Sequence, residues 1–165
     1  MRRITAGHGS ENAARILEAL RRGHPGAKPA ELFTIWSSSG FRQSAIDQAA
    51  IKAAQGAAPV YVYWFAWHTA VLDGRPFAFH GSELPFVFDN TDRCDTVTGG
   101  GPSARTLAAK VSDAWIRFAR TGDPNHSGLP RWPAFTPEKR TTMIFESTSA
   151  AKDDPDGEEL KAMAG

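Results

Sequence analysis

The chain has 165 residues, of which 41% are hydrophobic and 22% charged, and its net charge is +1. This length suffices for one domain with a buried core, and the charge gives no reason to expect a nucleic acid, a membrane surface or an acidic partner. The longest apolar run, 57–67, is too short to span a bilayer, and the arginines near the start precede no signal-peptide core. The single cysteine, Cys94, excludes an internal disulfide. We therefore expect a cytoplasmic chain.

Three amphipathic helices are predicted before residue 57. Ser10 is suited to cap the first, over residues 11–22, because its hydroxyl can accept a hydrogen bond from a free amide of the first turn. The second is a short helix over 30–36 that ends at three serines and a glycine. The third, over 41–55, is rich in alanine at helical spacing. We expect all three to cover one side of a sheet.

The segment 59–67 predicts a strand rather than a helix. Val60, Val62 and Trp64 alternate with tyrosine and phenylalanine, so both faces are apolar and the strand should be buried on two sides. A strand surrounded by predicted helices indicates an α/β layer structure. After it we expect a loop over 90–102.

The C-terminal part of the chain predicts one long helix and one more strand. The helix should run over 103–121, with Ser103 as its cap and Gly122 in a left-handed conformation at its end. The residues 141–146 form a short strand candidate. From residue 147 onward apolar residues become rare, so we expect one folded domain over 1–147 and a polar, flexible tail over 148–165.

The most informative stretch is the histidine segment, residues 76–88, which reads Pro-Phe-Ala-Phe-His-Gly-Ser-Glu-Leu-Pro-Phe-Val-Phe. Its single histidine, His80, stands between two apolar runs. An imidazole held in this way can accept a proton from a nucleophile and return it to a leaving group, because its pKa is close to neutral. A buried core histidine among packed phenylalanines is the alternative interpretation of these residues.

The histidine segment resembles the catalytic-histidine region of type-B carboxylesterases, the cholinesterase-like branch of the α/β-hydrolases. The resemblance continues upstream through 58–65 and downstream through 115–125 and 131–135, in the order of that family. It implies an α/β fold that corresponds to the C-terminal part of an α/β-hydrolase, with few strands packed by helices. It also implies hydrolysis of small carboxylic esters by a Ser-His-acid triad, with His80 as the catalytic base and neither a cofactor nor a metal.

The nucleophile that this chemistry needs is missing from the expected place. In α/β-hydrolases the serine lies in Gly-x-Ser-x-Gly and precedes the histidine, and the sequence contains no such motif. Ser103 follows His80 and lacks the second glycine. Ser10 and Ser82 are the remaining candidate nucleophiles. Ser10, however, lies before a predicted helix rather than after a strand.

The acid is also missing from the expected place. Three glutamates precede the histidine and fit helix caps or solvated helix faces: Glu11, Glu18 and Glu31. The resemblance places the family's acid before Met1, and it assigns Glu83 to support of the loop. A metal pair of His80 and Glu83 is conceivable, but the sequence offers it no third ligand.

Two functional hypotheses remain open. In the first, the chain is the C-terminal part of a type-B carboxylesterase that has the histidine alone, and its partner is an N-terminal half or a second copy through an exposed sheet edge. In the second, it is a freestanding binding domain that derives from this fold and has no catalytic activity.

Overall fold

The computed structural model describes the backbone of residues 2–164 and the side chains of residues 11–164. The chain divides into two compact units, which we call the terminal unit (residues 1–48 and 154–165) and the central unit (residues 49–153). The chain combines helices with a small three-stranded sheet, which is the mixed α/β architecture that the sequence predicts. Among the helices of residues 2–164, none is both long and apolar enough to cross a membrane.

The terminal unit consists of helices. Its first helix, α1, spans Arg2–Gly23, so the prediction that Ser10 caps this helix is wrong. The expected inner face is present nevertheless, because Ile16 and Leu20 are buried in a small apolar cluster. The glycine with positive φ after this helix is Gly26, at +85°, rather than Gly23, the last residue of α1.

The second helix, α2, spans Pro29–Ala54 and joins what the sequence predicts as two helices. The serines that should end the first of them are helical, and their side chains bond back to the helix. Ser37, Ser38 and Ser39 donate to the carbonyl oxygens three residues earlier, at 2.7–3.0 Å. Gly56 lies just beyond the helix with a φ of +64°.

The residues predicted as a flexible tail contain regular structure. The strand β3 spans Ala150–Lys152, and a C-terminal helix spans Gly157–Ala164 and packs on α1. Two acidic residues of this segment are buried beside basic partners. Asp156 accepts a hydrogen bond from Arg42 at 2.5 Å, and Glu159 lies 3.2 Å from His24.

The central unit contains the sheet, whose order is β1-β2-β3. The strand β1 spans Val62–Phe65, which is shorter than predicted, and its residues are half-buried rather than buried on both sides. It pairs in parallel with β2, Thr142–Phe145, which is fully buried and confirms the second predicted strand. β2 pairs antiparallel with β3.

One edge of β1 carries no partner strand among residues 2–164. The amide of Ala66 donates to Phe145 at 2.8 Å, and the carbonyl of Val60 accepts from Phe135 at 2.7 Å. Even-numbered residues therefore direct their backbone groups toward β2. Because these directions alternate along a strand, the backbone groups of Tyr63 and Phe65 point to the opposite, unpaired edge.

The segment between the strands is more helical than expected. The predicted loop over 90–102 contains a 3-10 turn at Thr91–Arg93 and a short helix at Asp95–Thr98. The helix α5 then spans Gly101–Thr121, with Gly100 rather than Ser103 at its N-cap. Its buried stripe includes Leu107 and Val111, and Gly122 ends it in the left-handed conformation that the sequence predicts, with a φ of +78°.

Candidate functional site

His80 is exposed and lies in a tight turn of the central unit, between β1 and a short helix. The amide of Ser82 donates to the carbonyl of Phe79 at 3.0 Å, so Phe79, His80, Gly81 and Ser82 form the turn. Gly81 has a φ of +80°, the conformation that the third residue of a type II turn requires. Position 81 therefore favours glycine because of its positive φ and not because a side chain there would clash with its neighbours.

A second turn continues from the first and begins the short helix α3, Leu84–Val87. The amide of Leu84 donates to the carbonyl of Gly81 at 3.2 Å. The carbonyl of Glu83 accepts from the amides of Phe86 and Val87 at 2.9 and 3.0 Å. The backbone around His80 is thus held by consecutive hydrogen bonds, which fixes the position of its Cα relative to α3.

One aromatic side chain anchors the histidine segment to the sheet. Phe86 in α3 is 0% exposed, and its ring centroid lies 4.9 Å from that of Phe65 and 5.5 Å from that of Trp67. Trp67 in turn donates through Nε1 to the carbonyl of Thr98 at 2.9 Å. α3 also packs against α5. The helix α3, which follows His80, therefore packs on the strand β1, which precedes it.

The imidazole itself has no hydrogen-bond or ionic partner among the side chains of residues 11–164, and it is open to solvent. A triad histidine needs a carboxylate that orients it and a serine that it deprotonates. Neither group contacts His80 in the part of the chain that the structure describes. His80 therefore has a backbone fixed by hydrogen bonds and an exposed imidazole that pairs with neither a carboxylate nor a serine among the described side chains.

The structure does not bring the predicted nucleophiles to His80. Ser82 is 4% exposed, and its Oγ makes no hydrogen bond within the described residues, so it is not aligned on the imidazole. Ser103 lies in the first turn of α5. Ser10 lies within α1, where no strand-to-helix turn is present, and its side chain is outside the described residues.

None of the candidate glutamates forms an ion pair with the imidazole among the described side chains. Glu18 pairs with Arg22 at 3.6 Å on an exposed helix face, and Glu31 lies in the first turn of α2. The side chain of Glu83 makes no hydrogen bond within residues 11–164. Across the same residues, no group of three or more histidine, cysteine, aspartate or glutamate side chains could hold a metal ion.

Glu83 does act electrostatically on the strand before the histidine. Burial raises the pKa of Tyr63 above its ordinary value, and the negative charge of Glu83 raises this pKa further. The two residues are therefore coupled through the charge of the carboxylate. The sequence indicates a supporting role for Glu83 but gives no sign of Tyr63, because the two residues are distant in the chain.

A small apolar cavity of about 100 Å³ lies elsewhere in the central unit, between β1 and α5. His80 does not line this cavity. The lining residues are mainly aromatic: Tyr61, Tyr63, Ala114, Trp115, Phe118, Pro124 and Trp132. Tyr61 and Trp132 meet edge to face, with centroids 5.7 Å apart. Ring contacts of Tyr61 with Phe118 and of Tyr63 with Trp115 pack α5 against the sheet.

A family model, several known proteins and several solved structures match this chain. A sequence model of the carboxylesterase family matches residues 11–163. The chain is 37% identical over 108 residues to the para-nitrobenzyl esterase of Bacillus subtilis, an overlap of 64% of this chain and 22% of that protein. It is 34% identical over 125 residues to the phenmedipham hydrolase of Pseudarthrobacter oxydans, an overlap of 72% of this chain and 24% of that protein.

Solved structures agree with the sequence relatives. A carboxylesterase of Geobacillus stearothermophilus superposes with a TM-score of 0.72 and 34% identity, covering 98% of this chain and 33% of that one. An esterase of Clostridium hathewayi superposes with a TM-score of 0.71 and 27% identity, covering 98% of this chain and 31% of that one. The chain thus spans about a quarter of the curated relatives described above and a third of these structures.

Proposed function

Because the chain belongs to the carboxylesterase family, we propose that it is the histidine-bearing C-terminal part of a serine esterase. In this proposal His80 is the general base of the triad. The serine nucleophile, the acid and the oxyanion hole come from polypeptide outside the 165 residues, and the substrates are small carboxylic esters.

The observation that carries the proposal is the state of His80. Its backbone is fixed by two consecutive turns and by the buried ring of Phe86, yet its imidazole is exposed and without a partner among the described residues. A rigid backbone under an unpartnered imidazole is expected where the remaining groups of the site come from elsewhere. The unpaired edge of β1 supports the same view, because a neighbouring strand would complete the sheet there.

The chemistry of such a site follows from the imidazole. His80 accepts the serine proton while the serine oxygen bonds to the ester carbonyl carbon and negative charge moves to the carbonyl oxygen. When the bond to the alcohol breaks, the imidazolium returns the proton to the leaving oxygen. Water then repeats both steps on the acyl-enzyme and releases the acid. Each proton that His80 takes is given back, so no cofactor is consumed.

The experiment supplies the missing polypeptide. The 165-residue chain is co-expressed with the two-thirds of the Geobacillus stearothermophilus carboxylesterase that have no counterpart in it, or joined to them in one chain. We call either product the completed enzyme. We expect it to hydrolyse p-nitrophenyl acetate and to label with a fluorophosphonate, whereas the 165-residue chain alone should do neither.

Two results would contradict the proposal. One is stoichiometric labelling of a serine in the 165-residue chain alone, which would make Ser10 or Ser82 the nucleophile. The other is a completed enzyme that is inactive in both forms, whether folded or not, because the proposal requires this chain to complete that fold. The freestanding binding domain is the second candidate. The buried aromatic core of the central unit favours it, and a monodisperse, dye-silent chain that does not bind the added polypeptide would support it.

A further inference from the structure

A second histidine, His126, lies in the loop after α5, and only 5% of its side chain is exposed. Its Nε2 atom lies 3.0 Å from the carbonyl oxygen of Lys110 in α5. A carbonyl oxygen can only accept a hydrogen bond, so Nε2 carries a hydrogen atom and donates it. The other ring nitrogen, Nδ1, is therefore the atom that gains or loses a hydrogen when the charge of the ring changes.

Two groups of opposite kind lie at the same distance from Nδ1. The backbone amide of Gly128 donates to it at 3.2 Å, and Oδ2 of Asp113 in α5 lies 3.2 Å from it. Without a hydrogen, Nδ1 can accept from the amide but has nothing to donate to the carboxylate. With a hydrogen, it can donate to the carboxylate but no longer accept from the amide. The nitrogen can therefore bond to only one of these groups at a time, and its proton decides which.

Each of the two groups is held in place by contacts that do not involve the ring. Nε of Arg117 donates to both carboxylate oxygens of Asp113, at 3.2 and 3.3 Å. The amide of Leu129 donates to the carbonyl of His126 at 3.2 Å and closes a turn over residues 126–129. A Cβ atom at Gly128 would lie 3.0 Å from Cε1 and Nδ1 of the ring, so glycine allows the amide its close approach.

The charges around the ring come from α5 and from the loop itself. Arg117 and Lys110 oppose a positive charge on the ring, and the Cγ atom of Lys110 lies beside the turn. Asp113 favours a positive charge, and it is the one carboxylate in ion-pair contact with the ring among the side chains of residues 11–164. Asp123 of the loop is engaged elsewhere, because the amide and Nδ2 of Asn125 donate to it at 2.9 and 2.6 Å.

We propose that His126 is a proton-operated switch between α5 and the turn over residues 126–129. The neutral ring accepts from Gly128 and fixes the turn. When Nδ1 takes up a proton from solvent, the new N–H donates to Asp113, and the amide of Gly128 loses its bond. Leu129 remains packed against the core of the central unit, so the turn loosens without leaving it. The switch is independent of the proposed esterase activity, because all of its atoms belong to described residues.

The test is a pH titration of the 165-residue chain, followed by nuclear magnetic resonance. At pH 8 the ring nitrogen shifts of His126 should show the hydrogen on Nε2. Between pH 8 and pH 5 the protection factor of the Gly128 amide should fall about tenfold as the ring becomes charged, since one hydrogen bond is lost. The amide of Gly122 is the internal control, because it donates to Phe118 at 2.8 Å and should stay protected.

A substitution tests the role of the carboxylate. Asp113→Asn removes the negative charge, so the pH at which Gly128 loses protection should fall by up to about 0.7 unit. Asp73→Asn is the matched control, since Asp73 is an exposed carboxylate of the same unit that pairs with Arg75 at 3.6 Å. It should leave that pH unchanged.

Four results would overturn the switch. They are a neutral ring with its hydrogen on Nδ1, an imidazole that stays neutral down to pH 5, a charged imidazole with Gly128 still fully protected, and an equal loss of protection at Gly122. An effect of Asp73→Asn as large as that of Asp113→Asn would assign the response to net charge rather than to this contact, and would contradict the proposal equally.

Discussion

The ring of Phe86 in α3 lies 4.9 Å from the ring of Phe65 in β1, which joins the helix after His80 to the strand before it. The two side chains are 21 residues apart in sequence, and Phe86 is completely buried between strand and helix. This contact explains how a short, exposed turn can hold a histidine in a fixed place.

Removal of the Phe86 ring should destabilise the packing of α3 on β1, which holds the histidine segment in place. We expect Phe86→Ala to lower the free energy of unfolding by about 3–5 kcal/mol, because it leaves a cavity in the core. Phe88→Ala is the control, since Phe88 is 71% exposed and should cost little. Urea denaturation followed by tryptophan fluorescence measures both. Equal losses in the two variants would contradict the packing described here.

The turn at Gly81 gives a second prediction, in which one substitution has opposite effects at two glycines. Gly81→Ala should destabilise the fold by about 1–2 kcal/mol, because its φ of +80° is costly for alanine. Gly40→Ala should stabilise it by about 1 kcal/mol, because Gly40 lies inside α2 with no atom within 4 Å of the new methyl group. Thermal unfolding of both variants tests the signs. A stabilising Gly81→Ala would mean that the turn has another conformation.

The pair of Glu83 and Tyr63 predicts a shift in the titration of a phenol. Since burial and the charge of Glu83 both raise the pKa of Tyr63, Glu83→Gln should lower this pKa while leaving it above the ordinary 10.0. Ultraviolet absorbance of tyrosinate during a pH titration measures the change. A pKa of Tyr63 that does not move in this variant would place Glu83 away from β1.

The same pKa has a consequence for stability. The folded chain holds the Tyr63 proton more tightly than the unfolded chain, so this contribution is complete below pH 10.0. It should be lost as the pH rises through the folded pKa. Tyr63→Phe cannot ionise, and its unfolding free energy should decline less steeply in that alkaline range.

The sequence predicts the elements whose own pattern determines them. β2 follows from a short apolar run and α5 from its buried stripe. The continuity of α2 is not predicted, because three serines followed by a glycine are typical of a helix end, whereas the structure keeps all four residues helical. The regular structure of the last residues depends on partners that are distant in the chain. Asp156, for example, accepts a hydrogen bond from Arg42, which lies 114 residues before it. The electrostatic effect of Glu83 on Tyr63 could not be predicted either, because only the fold couples these two residues, which are distant in the chain.

The unpaired edge of β1 predicts an alternation in amide exchange. The amide of Ala66 is bonded to Phe145 and should exchange slowly with solvent deuterium, whereas the amide of Phe65 points to the open edge and should exchange rapidly. In the completed enzyme both amides should be protected. Protection of Phe65 in a chain shown to be monomeric by light scattering would mean that the edge is already covered.

The central claim is that His80 is the base of an esterase triad, and the most direct measurement is hydrolysis of p-nitrophenyl acetate by the completed enzyme with His80→Ala. We predict a loss in kcat of more than about 10,000-fold, because triad members act as a unit. His68→Ala is the matched control, as an exposed histidine of the same unit, and its kcat should change little. An enzyme that keeps its activity without His80, or that loses it equally without His68, would contradict the claim.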